Sequence, residues 1–403
     1  MATKAWNDKT GLALEAAVKT KAAAGLKAVA DWVVRNQVRH AWPRWDANTG
    51  RVPYHVHLKT SDYFLSTSWN TARTMQGMFS AYQVLGAPEY LEAAERGLEY
   101  IKSLQAFMPE FPRARGTFIE ETPLGDHSGE RDGVECVQAL LAHYFMTGNK
   151  TSLMRTKAFM EWLIKEYNSE CWPMGSFYLA KPPQPGTPNE AAEFIFAAAV
   201  IPLVQYVKVT GEKKYLTRCA IPMIEYVLKN IQHADGAFRY FTPRKDHHSP
   251  LPNDPTVYND DGIGVAILCL WKATGKKRYL DAAVAYGDWW AARDLDNLPG
   301  TYAMLPAITL FLTDIARATG DTRYTKFMEA MAPKLFALQV NRDENRLVSG
   351  AFMGEDMAPN YRKGADAGDF ISLRSISYGL LAMAKLAARS GKEWGPSYSA
   401  FGF

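Results

Sequence analysis

Cysteine is scarce in this 403-residue sequence, and its spacing excludes a disulfide-built fold. The four residues, Cys136, Cys171, Cys219 and Cys269, lie far apart with no Cys-x-x-Cys pair. They read as reduced, partly buried thiols rather than cross-links or a metal site. An excess of one charge is also missing: 46 basic residues face 42 acidic ones, with no basic tract. Nucleic acid and an anionic membrane surface are therefore not expected as partners. Apolar runs such as EFIFAAAVIPLV are too short or too interrupted to span a bilayer. The opening MATKAWNDKTG is polar and lacks an apolar signal core, so a cytoplasmic or periplasmic location is expected. No phosphate loop, GxGxxG or GxSxG occurs, and no cofactor is called for. His55 and His57 alternate in PYHVH as ligands on a strand could, but no Cys or His pattern joins them, so no metal is expected.

What is present is a repeat. YQVLGAPEYLEAAERGLEYI at Tyr82 is followed by YFMTGNKTSLMRTKAFMEWL at Tyr144 and VKVTGEKKYLTRCAIPMIEYVL at Val207. WKATGKKRYLDAAVAYGDWW at Trp271 and ARATGDTRYTKFMEAMAPKLF at Ala316 continue it, and a degenerate copy, AARSGKEWGPSYSAF, closes the chain. Each copy has an apolar helix ending in glycine, a charged turn and, as a rule, a second helix. Glycine suits the first position past a helix, where a left-handed backbone costs it little. Read outward from the turns, the first set of helices runs at roughly 66–85, 131–147, 190–210, 258–274, 302–319 and 368–389. The second set runs at roughly 88–105, 151–168, 213–232, 277–294 and 322–340, with an opening helix at about 11–39. The first set is apolar nearly all round and should be buried; the second is amphipathic and should lie outside. The pattern predicts an all-α fold, an (α/α)6 barrel of six inner and six outer helices, as one domain over 1–403. A linear helical solenoid is the alternative.

The two barrel ends differ. Turns from inner to outer helix are short and alike, whereas the return connections are long and rich in Pro, Gly, His, Trp, Arg and carboxylates. Long loops in a compact domain are usually functional, so the site is expected where the inner helices start. Asp132, Glu135, Glu190, Glu193, Asp260, Asp261 and Asp369 cluster at those starts. A carboxylate in a first helical turn can be a cap. Glu135 and Glu193 sit a turn inside apolar helices, where a cap is not needed and an unpaired charge costs several kcal/mol. Of Asp260 and Asp261 in YNDDG, one is expected to cap its helix and the other to face the site. Two carboxyl groups are what glycosidic hydrolysis requires, one as acid and one as nucleophile or base. The expected catalytic set is therefore Asp132, Glu135, Glu190, Glu193, Asp260 and Asp261.

Arg73 and Arg374 interrupt buried helices, and Arg113, Arg115, Arg244 and Arg362 lie in loops. Arginine suits bidentate contact with a substrate carboxylate. Trp69, Tyr258, Tyr302 and Tyr361 offer flat faces for sugar rings. With Asn70 and His127, these residues and Arg73, Arg362 and Arg374 make up the expected substrate-binding set. The partner expected is a carbohydrate, anionic in charge, with homo-oligomerisation left open.

The TG-x-x-x-YL turns and the polar rim resemble the carbohydrate-active (α/α)6-barrel enzymes over nearly the whole chain. Within that group the arginine-bearing, aromatic rim looks most like family 154 exo-β-glucuronidases or the unsaturated uronyl hydrolases. The latter resemblance implies an aspartate early in an inner helix acting on water or on the unsaturated ring, a position Asp132 in GERDGVE could match. The first inner helix reads SWNTAR where those hydrolases present a His-Asp pair. YQVLGAPEYLEAAERGLEYI is also similar to the N-acylglucosamine 2-epimerases, which implies histidine chemistry from inner helices; His143 is such a histidine. The resulting expectation is an exo-acting glycoside hydrolase that removes a terminal uronic acid. The alternatives are a uronate lyase with Tyr258 or His127 as base, a sugar epimerase, and a non-enzymatic helical scaffold.

Overall fold

The computed structural model describes residues 6–7, 9, 11–39, 48–110, 112–120, 127–166, 176–178, 190–238, 262–297, 304–341, 345–354, 370–395 and 397–402. Only the backbone is described at 6–7, 127, 129–131, 166, 176–178, 190–198, 230, 297 and 304. In chain order the helices are α1 (Ala16–Asn36), α2 (Ser68–Leu85), α3 (Pro88–Ser103), α4 (Glu130–Thr147), α5 (Lys150–Glu166) and α6 (Glu190–Thr210). They continue with α7 (Ile221–Asn230, entered through a π-helical turn), α8 (Ile263–Thr274), α9 (Lys277–Ala291), α10 (Met304–Thr319), α11 (Thr322–Ala337) and α12 (Leu373–Ala387). The even-numbered helices form the inner layer. α2 packs on α12 and α4, α4 on α6, α6 on α8, α8 on α10 and α10 on α12. A solenoid would leave α2 and α12 apart; here the ring closes. The fold is an (α/α)6 barrel, with α1 completing the outer layer between α11 and α3.

The turns that end the inner helices have the geometry that their glycines imply. Gly86, Gly148, Gly211, Gly275 and Gly320 all have φ between 67° and 75°. Each donates its N–H to the carbonyl four residues back, at 2.7–2.8 Å. A second recurring lock was not apparent from the repeat. Gln37, Gln105, Gln232 and Gln339 each follow an outer helix, and each amide bonds the carbonyl of a downstream glycine: Gly50, Gly116, Gly236 and Gly350. The same amides also bond backbone carbonyls of the next outer helix, at Ala93, Arg155, Ala282 and Gly25. These glycines combine a left-handed φ with a backbone carbonyl where a side chain would stand. A Cβ on Gly116 would lie 2.4 Å from the Ala158 oxygen, whereas one on Gly148 would meet nothing within 4 Å. Gly148→Ala is expected to cost about 1–2 kcal/mol, the left-handed penalty alone. Gly116→Ala should lose about 1–3 kcal/mol more, as overpacking does. Urea midpoints of the two variants test that difference; equal losses would mean the lock is not tight.

One short hairpin lies where an inner helix ends: β1 (Trp6–Asn7) pairs with β2 (Gly11–Leu12), and Gly11 stands against Ala388 just past α12. The other short strands gather where the inner helices begin. β3 (Pro53–His57) lies between β4 (Tyr63–Leu65) and, beyond β5 (His127–Gly129) and β6 (Ser176–Tyr178) in the chain, β7 (Phe370–Ser372). β5 and β6 pair with each other ahead of α4. β7 takes residues that the helical pattern had assigned to the last inner helix, because Phe370–Ser372 pair with His55–His57. α12 therefore opens only at Leu373, with the Ser372 hydroxyl accepting the Arg374 N–H. α8 likewise begins later than expected. Its cap position is Gly262 at φ 99°; Asp260 and Asp261, one of which was expected to cap this helix, lie outside the described residues.

The sixth turn departs most from the repeat. Among the described residues after α12 there is no further outer helix, and the chain folds back into the bore. Ser399 Oγ donates to Asp314 Oδ1 on α10 at 3.0 Å, and the Ala400 N–H donates to Oδ2 at 2.6 Å. Trp394 Nε1 donates to Ser399 Oγ at 2.7 Å, Cys269 on α8 faces the Ser399 carbonyl, and Gly395 lies against Ser80 on α2. Lys385 on α12 pairs with Asp314 at 3.5 Å, and both are buried. Burial drives the Lys385 ammonium from 10.5 down to about 8, although Asp314 pulls it upward. Between those values the unfolded chain holds the proton that the folded chain has shed, so folded stability rises with pH across the window. The wild type should gain about 3 kcal/mol relative to Lys385→Met between pH 8 and pH 10.5. Denaturant midpoints at several pH values test this, and parallel profiles would contradict it.

Candidate active site

Three neighbouring inner helices, α12, α2 and α4, present their polar residues in two layers. On each helix the residue nearer the start is half-buried: Trp69 on α2, Asp132 on α4 and Arg374 on α12. One turn deeper on the same faces stand Arg73, Glu135 and Tyr378, all buried. Spacings of three and four residues produce this stacking, because they return a side chain to the same helix face.

The lower layer is a bonded unit. Arg73 Nη2 donates to Glu135 Oε1 at 2.6 Å, with both side chains at 0% exposure. Gln76 Nε2 donates to Glu135 Oε2 at 3.1 Å and to the Glu135 carbonyl at 3.2 Å. The Tyr398 hydroxyl, carried up by the bore-filling tail, donates to Glu135 Oε1. The Arg73 guanidinium lies 4.2 Å from the Tyr378 ring centre, 5.3 Å from that of Trp69 and 5.5 Å from that of Tyr398. Burial works against its charge, but Glu135 and the two tyrosines outweigh burial and hold the guanidinium pKa well above its ordinary value. Two desolvated charges persist at such a depth only when they are paired and otherwise compensated; here both Glu135 oxygens accept hydrogen bonds, and the Arg73 guanidinium has the carboxylate and three ring faces around it. Beside them the Cys136 thiol is pushed well above its usual range by burial and then by Asp132 and Glu135. That environment disfavours a thiolate nucleophile.

The expected residues fall into distinct places. Asp132, Trp69 and Arg374 form the upper layer; Arg73 and Glu135 lie beneath it, bonded to each other. Asn70 is 1% exposed and is committed to the start of α2, where its Oδ1 accepts the Thr67 N–H at 2.8 Å and its Nδ2 donates to Thr67 Oγ1. Glu190 and Glu193 belong to α6 and His127 to β5, with side chains outside the description. Asp260, Asp261, Tyr258, Tyr302, Tyr361, Arg362 and Asp369 lie outside the described residues. Tyr398, Tyr378 and Gln76 were not anticipated. Gln76 was legible in principle as a polar residue in an apolar helix, whereas nothing local marks Tyr398. The hydroxyls of Ser68, Ser128 and Ser375 lie at or just before the starts of these three helices. They are buried with no hydrogen-bond partner among the described residues.

Comparison with known proteins bears on the scaffold around this geometry. No protein-family model matches the chain, and no curated protein matches it in sequence. Solved structures do match. An unsaturated glucuronyl hydrolase specific for heparin superposes with a TM-score of 0.63 at 13% identity, over 92% of this chain and 96% of its own. An inactive α-1,6-mannanase variant of Salegentibacter sp., with two adjacent aspartates replaced by asparagine and α-1,6-mannotriose bound, gives 0.62 at 12% identity over 91% and 99%. A sugar epimerase from a ruminal bacterium gives 0.61 at 12% identity over 84% and 92%. The likeness is one of fold. No helix among the described residues is long and apolar enough to cross a membrane.

Proposed function

We propose that this protein is a carbohydrate-processing enzyme, and more narrowly an exo-acting glycoside hydrolase that removes a terminal uronic acid. The observation that carries the reading is the two-layer arrangement: a half-buried carboxylate, indole and guanidinium over a buried Arg73–Glu135 ion pair. In this proposal Asp132 is one member of the catalytic carboxyl pair, exchanging a proton with the glycosidic oxygen or with water. The second member comes from α6 or from the Asp260–Asp261 pair. Adjacent aspartates are also the residues replaced in the inactive mannanase variant. Arg374 meets the uronate carboxylate with the planar fork that suits it. Trp69 offers a ring face, and the three unpaired serine hydroxyls offer partners to sugar oxygens. Glu135 has its bonds to Arg73, Gln76 and Tyr398, so its part is to hold the floor rather than to transfer protons.

The epimerase alternative draws on inner-helix histidines. His143 lies in the fourth turn of α4 and bonds outward, its Nδ1 at 2.8 Å from Ser152 Oγ and its Nε2 at 3.5 Å from Glu95. The test is incubation with a panel of aryl uronides, aryl hexosides and uronate-ended oligosaccharides. Free uronic acid without new unsaturated-uronate absorbance is the expected result. New absorbance would mean a lyase, and an isomerised sugar with no bond broken would mean an epimerase.

A further inference from the structure

Beside the two-layer site, the β4–β3–β7 sheet carries a groove of about 440 Å³ lined by His55, His57, Thr60, Asp62, Tyr63, Phe64 and Phe370. That volume is in the range of small-ligand sites, about 300–1,000 Å³. Tyr63 and Phe64 are 52% and 46% exposed there, an uncommon way to leave two adjacent large rings. The groove is joined to the candidate active site by a run of rings. Phe64 and Tyr54 have centroids 5.0 Å apart, Tyr54 and Trp69 6.1 Å, and Trp69 lies 5.3 Å from the Arg73 guanidinium.

The polar groups of the groove specify what it could hold. The backbone N–H groups of Lys59 and Thr60 donate to His57 Nδ1 at 3.2 and 3.1 Å. That pattern assigns the neutral ring's proton to Nε2, a hydrogen-bond donor. Asp62 and Thr60 supply acceptors, while no lysine or arginine is among the lining residues. An anionic ring would meet the Asp62 carboxylate with no cation to offset it. A neutral sugar presents apolar C–H faces to the rings and hydroxyls that can both donate and accept.

We propose that this groove is a second saccharide subsite, which holds neutral hexose residues of the chain whose uronic-acid end occupies the two-layer site. The proposal takes its ligand class from the carbohydrate reading above, but neither its geometry nor its test requires a uronate. The substrate it implies is a mixed chain, acidic at the cleaved end and neutral behind it.

The experiment is a binding titration of the whole protein with short neutral gluco-, galacto- and manno-oligosaccharides, followed by calorimetry and saturation-transfer NMR. Saturable binding to at least one series is expected. Tyr63→Ala/Phe64→Ala should weaken it at least about tenfold, as loss of aromatic stacking would, with the melting temperature close to that of the wild type. Phe64→Trp, which keeps a flat face, should retain it. Absence of saturable binding to every series would overturn the proposal, as would equal affinity in the double alanine variant. A wild-type dimer that the double variant dissociates, without any saccharide binding, would assign the groove to a second copy of the chain and would also overturn it. Binding is read without turnover, so a bound neutral oligosaccharide with no uronide cleavage would sink the uronidase reading alone.

Discussion

Asp132→Asn is expected to slow uronide cleavage by roughly 10²–10⁴-fold, the usual contribution of a positioned acid or base. The melting temperature should stay close to the wild-type value. Asp132 is half-buried at the open end of α4, one turn above Glu135, so the amide can replace the carboxylate without stranding a deeply buried charge. It keeps the shape of the side chain and removes the proton transfer. The loss should appear in kcat more than in KM, because ground-state contacts from Trp69 and Arg374 remain. Near-normal turnover in Asp132→Asn would make this residue structural and move the catalytic pair to α6 and to Asp260–Asp261.

The second large effect is on stability. Glu135→Leu should destabilise the protein by about 3–5 kcal/mol, because it leaves the Arg73 guanidinium buried without its carboxylate. Arg73→Met should cost a similar amount for the mirror-image reason. The double variant Arg73→Met/Glu135→Leu should recover much of either loss, since replacing both members of a buried pair by apolar groups is often near neutral. Urea unfolding of the four proteins as a double-mutant cycle reads the coupling directly. Additive losses would mean that the two charges are not stabilised chiefly by each other. Gln76 and Tyr398 stay in place in all four proteins and lose their bonds to the Glu135 carboxylate in two, which accounts for part of the expected residual cost.

The helical frame was legible because two signals coincide at each repeat. An apolar helix that is buried all round cannot be an outer helix, and a glycine past its end sets the reversal; Gly86 through Gly320 behave accordingly. Ring closure was not in the sequence as such, since it rests on α2 meeting α12 across the length of the chain. The misread boundaries share a cause. YNDDG and GDFIS run straight into helices, and apolar periodicity alone extends those helices backward. Gly262 at φ 99° and the pairing of Phe370–Ser372 with His55–His57 are tertiary facts that end them sooner. Arg73 and Glu135 stood out as charges inside apolar helices, but their partnership did not, because α2 and α4 bring together residues 62 positions apart. Tyr398 was the least accessible. It belongs to a tail that looks like a worn sixth repeat, and only the buried Asp314 and Lys385 at mid-barrel show why that tail turns inward.

The central claim is that substrate is held at the starts of α2, α4 and α12, over the Arg73–Glu135 floor. The most direct measurement is a crystal structure of Asp132→Asn soaked with an oligosaccharide ending in a uronic acid. The account predicts the terminal ring against Trp69, its carboxylate on Arg374 and the scissile oxygen within hydrogen-bond reach of residue 132. Ligand density at the opposite end of the barrel, among the Thr-Gly turns, or a uronate carboxylate turned away from Arg374, would contradict it.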